Sequence, residues 1–554
     1  MPKQGRTAPF VLRPRTAGTT LHSWLYQEIR AAILDSRLEP GLKLPARKVL
    51  ARQCHVSIGT VTEVYDRLVK LGYLDARAGS GTYVGATLPE ATPESTGPRT
   101  PGPAGGPRRI LSARGRLLAA QRFPRLSSNR AVETFRLDRA ALEHFPIETW
   151  NQLAAQHLRR RPSLELLAHG DPLGFRPLRA ALAAHVGRTR GVRCDADQVV
   201  ITSGTQHSLD LVARLLLDPG DQVWMEDPGY APVTSLLRSH GAEVIGIPVD
   251  TQGLDCVAGR LRCPLARLAY VTPGCQFPLG VPMSHRRRLQ LLDWANEAAA
   301  WIFEDDYDGL LRCDCRQPQA LRSLDGTGGV IYSNSLNRML FSSLRLGFLI
   351  LPPAFIEPAA AALSITQRYQ PTLDQATLAD FITLGHFDRH LRRLCELYTE
   401  RREALIAAGK AELGGLVQFS DSQFGSQVLG WLAADMSEAE TWRRSVARNI
   451  AMVPLASLTI GQPMPPGLVF GLGAADARAI RTAIKRLGRV LRVLAWQTRG
   501  ASSIQNKVPV RSRSEISQQT QPPIERRRRP EPQSSSTAPA RSPRLAPMLS
   551  PRFR

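Results

Sequence analysis

Small and polar residues follow several short apolar segments of this 554-residue chain, where they could contribute to a ligand site. Gly204 and Thr205 follow the segment QVVIT and open a helical pattern, and small residues at the start of a helix can hold a phosphate. Tyr230 follows QVWME, while Asp305 ends WIFED and Tyr307 lies two residues further on. Structural capping would explain any one of these features alone, so their order along the chain matters more than each motif.

The segments that position these residues are predicted strands. They alternate with helical patterns between residues 131 and 497, which is typical of an α/β domain with a mostly parallel sheet. The predicted strands are 198–202, 222–226, 268–272, 301–305, 329–333 and 347–351. Because ligands bind at the carboxyl ends of such strands, the sequence predicts one site at that edge of the sheet.

A different pattern occupies residues 18–87. One helix is predicted from Leu21, a second after Pro45, and a third between the N-cap Ser57 and the stop signal Gly72. Two short strands around a glycine-containing tip follow. Three helices and a hairpin predict an α+β winged helix-turn-helix.

The third helix of such a domain enters the major groove, and the wing offers backbone amides and small side chains to phosphates. The candidate DNA-binding residues are Lys48, Ser57, Thr60, Arg77, Gly79, Ser80, Gly81 and Thr82. A winged helix that serves only protein contacts is the alternative.

Composition indicates a polyanionic partner. The formal net charge is +24 and the sequence pI is about 10.5, which favours double-stranded DNA over an acidic membrane surface.

The eight cysteines show no metal-ligand spacing, so no metal site is expected. No long apolar run and no apolar signal core are present, so we expect a cytoplasmic protein without a membrane partner.

Three further segments lack the apolar periodicity of a folded core. Residues 1–17 are a basic arm, residues 88–130 a flexible linker rich in Pro, Gly, Ser, Thr and Arg, and residues 498–554 a basic Pro/Ser/Arg tail. Such a tail cannot bury a core, and we expect it to be disordered.

The N-terminal domain resembles the GntR family over LDSRLEPGLKLPARKVLARQCHVSIGTVTEVYDRLVKLGYLDARAGSGTYV. Thr60, Tyr65, Leu68 and the GYL…GSGTY wing are the specific features. Ile58 departs from the family, whose members usually have arginine after the recognition-helix serine. Base readout near Ile58 is therefore open, whereas phosphate contact through Lys48 is retained.

The larger domain resembles fold-type-I aminotransferases, and the whole chain resembles the MocR/GabR-type regulators that join a GntR winged helix to that fold. The matching segments are ITSGTQHSLDLVARLLLDPGDQVWMEDPGY, VTPGCQFPLGVPMS, IFEDDYDGLLR and VIYSNSLNRMLFSSLRLGFLILP. The resemblance implies a smaller C-terminal subdomain, a homodimer, and a pocket for pyridoxal phosphate.

It also implies residue roles. Backbone amides around Gly204, Thr205 and Gln206 would hold the cofactor phosphate, with Ser335 and Arg345 completing the site. Tyr230 would stack on the pyridine ring, Asp305 would pair with its nitrogen, and Tyr307 would hydrogen-bond the 3′ oxygen.

The catalytic position departs from the family. Arg338 stands where the family has the Schiff-base lysine, and a guanidinium cannot supply the neutral amine that this link needs. The chain has no lysine between Lys70 and Lys410. The two arginines that GabR-type members use for an amino-acid carboxylate align with Pro232 and Val469. Arg338 could itself bind a phosphate or carboxylate.

The sequence thus predicts a DNA-binding regulator whose aminotransferase-like domain senses a small-molecule effector without turnover. That effector is pyridoxal phosphate, held noncovalently, or another anionic metabolite. One alternative is an active pyridoxal-phosphate-dependent aminotransferase. Another is a cofactor-free DNA-binding protein whose large domain serves only dimerisation.

Overall fold

The computed structural model describes residues 18–86, 110–121, 134–159, 166–168, 170–311, 319–420 and 425–505, together with Leu12 and Arg15. The chain divides into two compact units, residues 1–110 and 111–554. The predicted basic arm, most of the linker and the tail after residue 505 lie outside the described residues.

The smaller unit is a winged helix. Its elements are α1 (Leu21–Leu34), α2 (Arg47–Gln53), α3 (Ile58–Lys70), β1 (Leu74–Arg77) and β2 (Gly81–Val84). The two strands pair antiparallel, and the buried faces of the helices share one apolar core that includes Leu25, Leu50 and Tyr65. Ser57 caps α3, as predicted, by accepting a hydrogen bond from the Thr60 amide.

The larger unit contains two sheets and their covering helices. Its elements are α4 (Ala113–Ala120), α5 (Ile147–Arg159), α6 (Arg176–Arg190), β3 (Val199–Thr202), α7 (Thr205–Leu216), β4 (Gln222–Asp227), α8 (Ala231–Ser239), β5 (Glu243–Asp250), β6 (Gly253–Leu254), α9 (Cys256–Arg262), β7 (Leu268–Val271), α10 (His285–Ala298), β8 (Trp301–Asp305), β9 (Val330–Ser335), β10 (Gly347–Ile350), α11 (Ile356–Thr366), α12 (Thr372–Thr383), α13 (His386–Glu412), β11 (Val417–Phe419), β12 (Gln427–Leu432), α14 (Glu438–Val446), β13 (Val453–Pro454), β14 (Gly467–Gly471) and α15 (Ala477–Gln505).

The large sheet has the strand order β3-β10-β9-β8-β7-β4-β5-β6. The five strands from β9 to β5 run parallel, whereas β10 is antiparallel to both of its neighbours and β6 to β5. β10 reverses because the connection from Ser335 to Gly347 is too short for a crossover helix. The predicted mostly parallel α/β sheet is confirmed.

The smaller sheet lies in the C-terminal part of this unit. It has the order β11-β12-β14-β13, and every pair in it is antiparallel. Helices α13 and α15 pack against each other beside it, and they share buried residues such as Leu405 and Leu487 with one apolar core. The smaller C-terminal subdomain implied by the resemblance is therefore present.

The structure adds helix to two segments that were predicted to lack a folded core. The predicted linker contains the helix α4, because Ser112 caps a run of good helix formers by accepting a hydrogen bond from the Gly115 amide. The predicted tail begins too early, because α15 continues to Gln505 and no proline interrupts the sequence before Pro509.

Candidate functional site

A cradle of small residues forms where β3 leads into α7. Gly204 is the N-cap of α7 and has φ 110°, a conformation that favours glycine. A Cβ atom at Gly204 would lie 2.7 Å from Asn337 Nδ2 and 3.3 Å from Ser335 Oγ. One at Gly347 would lie 2.7 Å from the Gly204 Cα. The glycines thus let three backbone segments meet beside the unpaired amides at the start of α7.

Polar side chains surround this cradle. Asn337 donates to Ser335 Oγ (3.3 Å) and to the Ser203 carbonyl (3.4 Å), and it accepts from the Leu346 amide (3.1 Å). The buried Nε2 atom of Gln206 has no hydrogen-bond partner among the described residues. A buried amide without a partner is costly, so this one indicates a place for an external acceptor.

Arg345 lies at the end of the turn that precedes β10. Its backbone is left-handed, with φ 52°, and its side chain is exposed. Within the described part of the chain it makes no hydrogen bond and no ion pair. Its charge is therefore available to an anion.

Asp305 ends β8 and is buried. Its Oδ2 accepts a hydrogen bond from the Tyr270 hydroxyl (2.6 Å), and its Oδ1 from Thr205 Oγ1 (3.5 Å). Burial, reinforced by the neighbouring Asp306, raises the pKa of Asp305 to about 7, against the effect of the Tyr270 hydrogen bond. The sequence analysis missed Tyr270, because no local pattern connects residues 35 positions apart.

Tyr230 and Tyr307 lie on either side of Phe277. The Tyr230 and Phe277 rings meet edge to face at 5.4 Å, and Phe277 meets Tyr307 at 6.2 Å. The Tyr307 hydroxyl accepts a hydrogen bond from Gln427 Nε2 (2.8 Å) of β12. The structure thus brings the predicted aromatic residues together, and it adds a contact from the smaller sheet.

Arg338 ends a short 3₁₀ turn, Leu336–Arg338, after β9. Its Nη2 donates to Ser426 Oγ (2.7 Å) and Gln427 Oε1 (3.3 Å), and its guanidinium lies 5.3 Å from the centre of the Tyr307 ring. Burial opposes the charge of Arg338, but the Asp308 carboxylate and the Tyr307, Tyr398 and Tyr230 hydroxyls together outweigh it, so the pKa of Arg338 lies above its ordinary value. The side chain is a permanent cation that connects the large sheet to β12.

The positions aligned with carboxylate-binding arginines carry no charge. Pro232 lies in the first turn of α8. Val469 is fully buried in β14, within an apolar cluster that also contains Phe277, Tyr307 and Leu455. Among the predicted cofactor-site residues and the anchor position, the cations are Arg338 and Arg345.

The candidate DNA-binding residues lie on α2, the start of α3 and the wing. Lys48 is exposed on α2, and Gly79 and Gly81 take left-handed conformations at the wing tip. The Arg77 guanidinium lies 4.6 Å and Lys43 Nζ 5.7 Å from the centre of the Tyr83 ring. Sequence reasoning named Arg77 but missed Lys43 and Tyr83 beside it.

The remaining polar candidates have partners within the winged helix. Ser57 Oγ lies 2.8 Å from Thr60 Oγ1 and accepts from the Thr60 amide (3.0 Å). Ser80 Oγ lies 2.8 Å from the Tyr83 hydroxyl. Thr82 is part of β2, where it pairs with Ala76.

Comparisons with known proteins match both units. The family model for aminotransferase class I and II matches residues 141–468, and the model for bacterial regulatory proteins of the gntR family matches residues 21–84. Together they define a class of protein: a transcriptional regulator that carries a DNA-binding winged helix and an aminotransferase-like domain.

Individual relatives narrow the class. The probable rhizopine catabolism regulatory protein MocR of Rhizobium meliloti is 35% identical over 487 residues, which are 88% of this chain and 96% of that protein. The regulator TauR of Rhodobacter capsulatus is 34% identical over 428 residues, 76% of this chain and 86% of that protein. This chain belongs to the MocR-type helix-turn-helix transcriptional regulators, as predicted.

A solved structure supports the fold of the larger unit. LysN, an α-aminoadipate aminotransferase of Thermus thermophilus complexed with N-(5′-phosphopyridoxyl)-L-leucine, has a TM-score of 0.61 and 27% identity, over 70% of this chain and 97% of that one. Among the described residues, no helix is both long and apolar enough to cross a membrane. That part of the chain also contains no group of three side chains suited to a metal ion.

Proposed function

We propose that this MocR-type regulator senses an anionic small molecule in its aminotransferase-like domain without turning it over. The observation that carries the proposal is Arg338 at the anchor position, where its guanidinium is committed to Ser426 and Gln427. An always-charged guanidinium cannot form the covalent link of an aminotransferase. Residues 71–409 contain no lysine that could form this link instead.

Pyridoxal phosphate fits one part of the pocket and not another. The phosphate would bind at Gly204, Thr205, Gln206, Ser335 and Arg345, which offer an unpartnered buried amide and an unpaired cation among the described residues. Tyr230 would pack on the ring, Asp305 would hold its nitrogen, and Tyr307 would reach the 3′ oxygen. The cofactor supplies an electron-withdrawing ring when bound, but the covalent anchor does not fit. Binding is therefore noncovalent, or another anionic metabolite takes the pocket.

Ligand binding is coupled to DNA binding through a shift between two arrangements of the protein. Arg338 and Gln427 connect the large sheet to β12, so a ligand beside them would change how the two sheets of the larger unit meet. A homodimer would present two winged helices to paired half-sites on double-stranded DNA.

The test is a titration of the purified full chain with pyridoxal phosphate, followed by absorbance and calorimetry, with Arg338→Lys alongside. We expect wild type to bind without an imine absorption band and Arg338→Lys to gain one. Borohydride-stable labelling of a wild-type lysine would instead indicate an active enzyme. If neither variant binds, and DNA affinity responds to no anion, the larger unit serves dimerisation alone.

A further inference from the structure

Arg338 is a largely buried cation that makes no direct ion pair with a carboxylate among the described residues, and Asp308 acts on it only from beyond contact distance. Its two hydrogen bonds both come from Nη2 and go to neutral acceptors, Ser426 Oγ and Gln427 Oε1. Neither Nε nor Nη1 has a hydrogen-bond partner within the described residues, and no carboxylate there lies within ion-pair distance. Buried charges are normally paired, because an uncompensated charge out of water is costly.

The nearest acid does not fill this role. Asp308 influences Arg338 electrostatically, but its carboxylate accepts hydrogen bonds from the Ser426 amide (3.0 Å) and Ser426 Oγ (3.0 Å). Ser426 therefore stands between the acid and the guanidinium. Three N–H groups of Arg338, one on Nε and two on Nη1, remain for an external acceptor.

The surface beside Arg338 is apolar. Its guanidinium lies over the Tyr307 ring, and Tyr307 belongs to the buried cluster of Phe277, Leu429 and Val469. Tyr230 and Leu279 border this cluster and are only partly buried. A ligand that neutralises Arg338 would thus place an apolar body against aromatic and aliphatic side chains.

We propose that Arg338 binds the carboxylate group of an organic ligand that has an apolar or aromatic body. In this chain the arginine at position 338 replaces the lysine that would be the covalent anchor. The same arginine supplies a cation, which Pro232 and Val469 cannot supply. Charge-assisted hydrogen bonds from a guanidinium to a carboxylate are strong and directional, which suits a fixed recognition site. This inference rests on the proposed sensing function and names its ligand class.

The experiment measures binding of 3-phenylpropanoate and of its neutral amide, 3-phenylpropanamide, to the full chain by calorimetry and thermal shift. We expect the acid to bind at least roughly tenfold more tightly than the amide, the range of a charge-assisted hydrogen bond. Arg338→Met should abolish this preference, and Arg338→Lys should weaken it. Ser426→Ala, which removes one hydrogen bond but no charge, should retain it. Equal binding of acid and amide, unchanged binding in Arg338→Met, or binding of neither probe would overturn the proposal.

A second variant separates this inference from the proposed function. Arg345→Gln should weaken pyridoxal phosphate binding and leave 3-phenylpropanoate binding intact. If the carboxylate binds through Arg338 but DNA affinity never changes, the proposed sensing function is contradicted and the proposed carboxylate site is supported. If pyridoxal phosphate changes DNA affinity and no carboxylate binds, the proposed carboxylate site is contradicted and the proposed sensing function is supported.

An independent observation concerns the start of α3. Ile58 is its first residue and is 51% exposed, whereas the neighbouring hydroxyls of Ser57 and Thr60 bond to each other and Thr62 Oγ1 donates to the Ile58 carbonyl. The first residue of the helix therefore presents a large, exposed, apolar side chain. In the major groove, the apolar feature that identifies a base is the thymine methyl group.

We infer that Ile58 reads a thymine methyl group in each half-site. Sites selected from random DNA by the full chain should contain this thymine. Replacing it with uracil, which lacks only the methyl group, should weaken wild-type binding roughly fourfold. Ile58→Ala should be indifferent to the change, while Val49→Ala, at an equally exposed apolar residue of α2, should behave as wild type. Uracil tolerance in wild type, or an unchanged thymine preference in Ile58→Ala, would overturn this inference.

Discussion

The winged helix and the aminotransferase-like domain both keep their family fold and both change a residue that carries chemistry. In the winged helix the change is Ile58, which is exposed and needs no partner. In the larger unit it is Arg338, whose guanidinium contacts Ser426, Gln427 and Tyr307. A substitution at an exposed position needs no repacking, whereas a substitution at a buried position must fit the side chains around it.

The same contrast holds for charge. The larger unit buries carboxyl groups and several arginines in its interior, while the ion pair between Arg47 and Asp66 of the winged helix lies at its surface. Buried charges respond strongly to protonation and to loss of a partner, and surface pairs respond weakly. Perturbing each kind of charge therefore tests whether the two units are stabilised differently.

The largest expected effect is that of pH on the larger unit. Burial raises the pKa of Glu226, Glu304 and Asp305 to about 7 each. Between about pH 4 and pH 7 these three groups hold protons in the folded state that they release in the unfolded chain, so their contribution to the free energy of unfolding falls as pH rises through this window. Each unit of raised pKa corresponds to about 1.4 kcal/mol, so three groups should cost several kcal/mol.

Urea unfolding at a series of pH values measures this slope. Asp305→Asn, which cannot ionise, should reduce it by about a third. An equal slope in wild type and in Asp305→Asn would show that Asp305 ionises freely in the folded protein.

The next effect concerns the ion pair between Arg190 and Asp306. Both side chains are buried, and they meet through Nε–Oδ2 (2.7 Å) and Nη2–Oδ1 (2.9 Å) contacts. Asp306→Asn leaves the guanidinium without its carboxylate and should cost about 3–5 kcal/mol in the free energy of unfolding. The matched control is Asp66→Asn, which removes the exposed pair with Arg47 in the winged helix and should cost less than about 1 kcal/mol. A similar loss in the free energy of unfolding for both variants would show that buried and surface ion pairs contribute equally to the two units.

A smaller effect should follow from closing the phosphate cradle. At Gly204 a Cβ atom would clash with Asn337, and the left-handed backbone would be strained as well. Gly204→Ala should therefore weaken pyridoxal phosphate or inorganic phosphate binding by about tenfold, which is about 1.4 kcal/mol.

Gly220→Ala controls for backbone strain, because Gly220 has φ 98° but no atom within 4 Å of the added Cβ. It should lower stability without changing affinity. Equal loss of affinity in both alanine variants would mean that strain, and not the cradle, limits binding.

Much of this architecture follows from local sequence signals. Alternating apolar segments predicted the strands β3, β4, β7, β8, β9 and β10, and the N-cap at Ser57 predicted the start of α3, because these signals act within a few residues. The strand-end residues Gly204 and Asp305 could be placed at one edge of the sheet for the same reason.

The rest depends on contacts between distant residues. Tyr270 reaches Asp305 across neighbouring strands, and Gln427 reaches Tyr307 from another sheet, and neither pairing leaves a periodic signal in the sequence. Arg338 was recognised as a departure, but its direction towards Ser426 could not be predicted, because rotamers are set by packing. The helices α4 and α15 went beyond predicted boundaries, where capping and helix propagation outweighed a polar composition.

The smallest expected effect concerns a single phosphate contact of the wing. Arg77 is exposed, and its guanidinium is held over the Tyr83 ring beside Lys43, so its charge is oriented but costs little to remove. Arg77→Ala should weaken DNA binding severalfold across all sequences and reduce the slope of log affinity against log salt by about 1. Arg77→Lys keeps the charge and should keep the slope. If Ile58 reads a base and Arg77 neutralises a phosphate, Arg77→Ala should leave the ratio of affinities for thymine-containing and uracil-containing sites unchanged. A change in that ratio would place the wing, rather than α3, at the discriminating base.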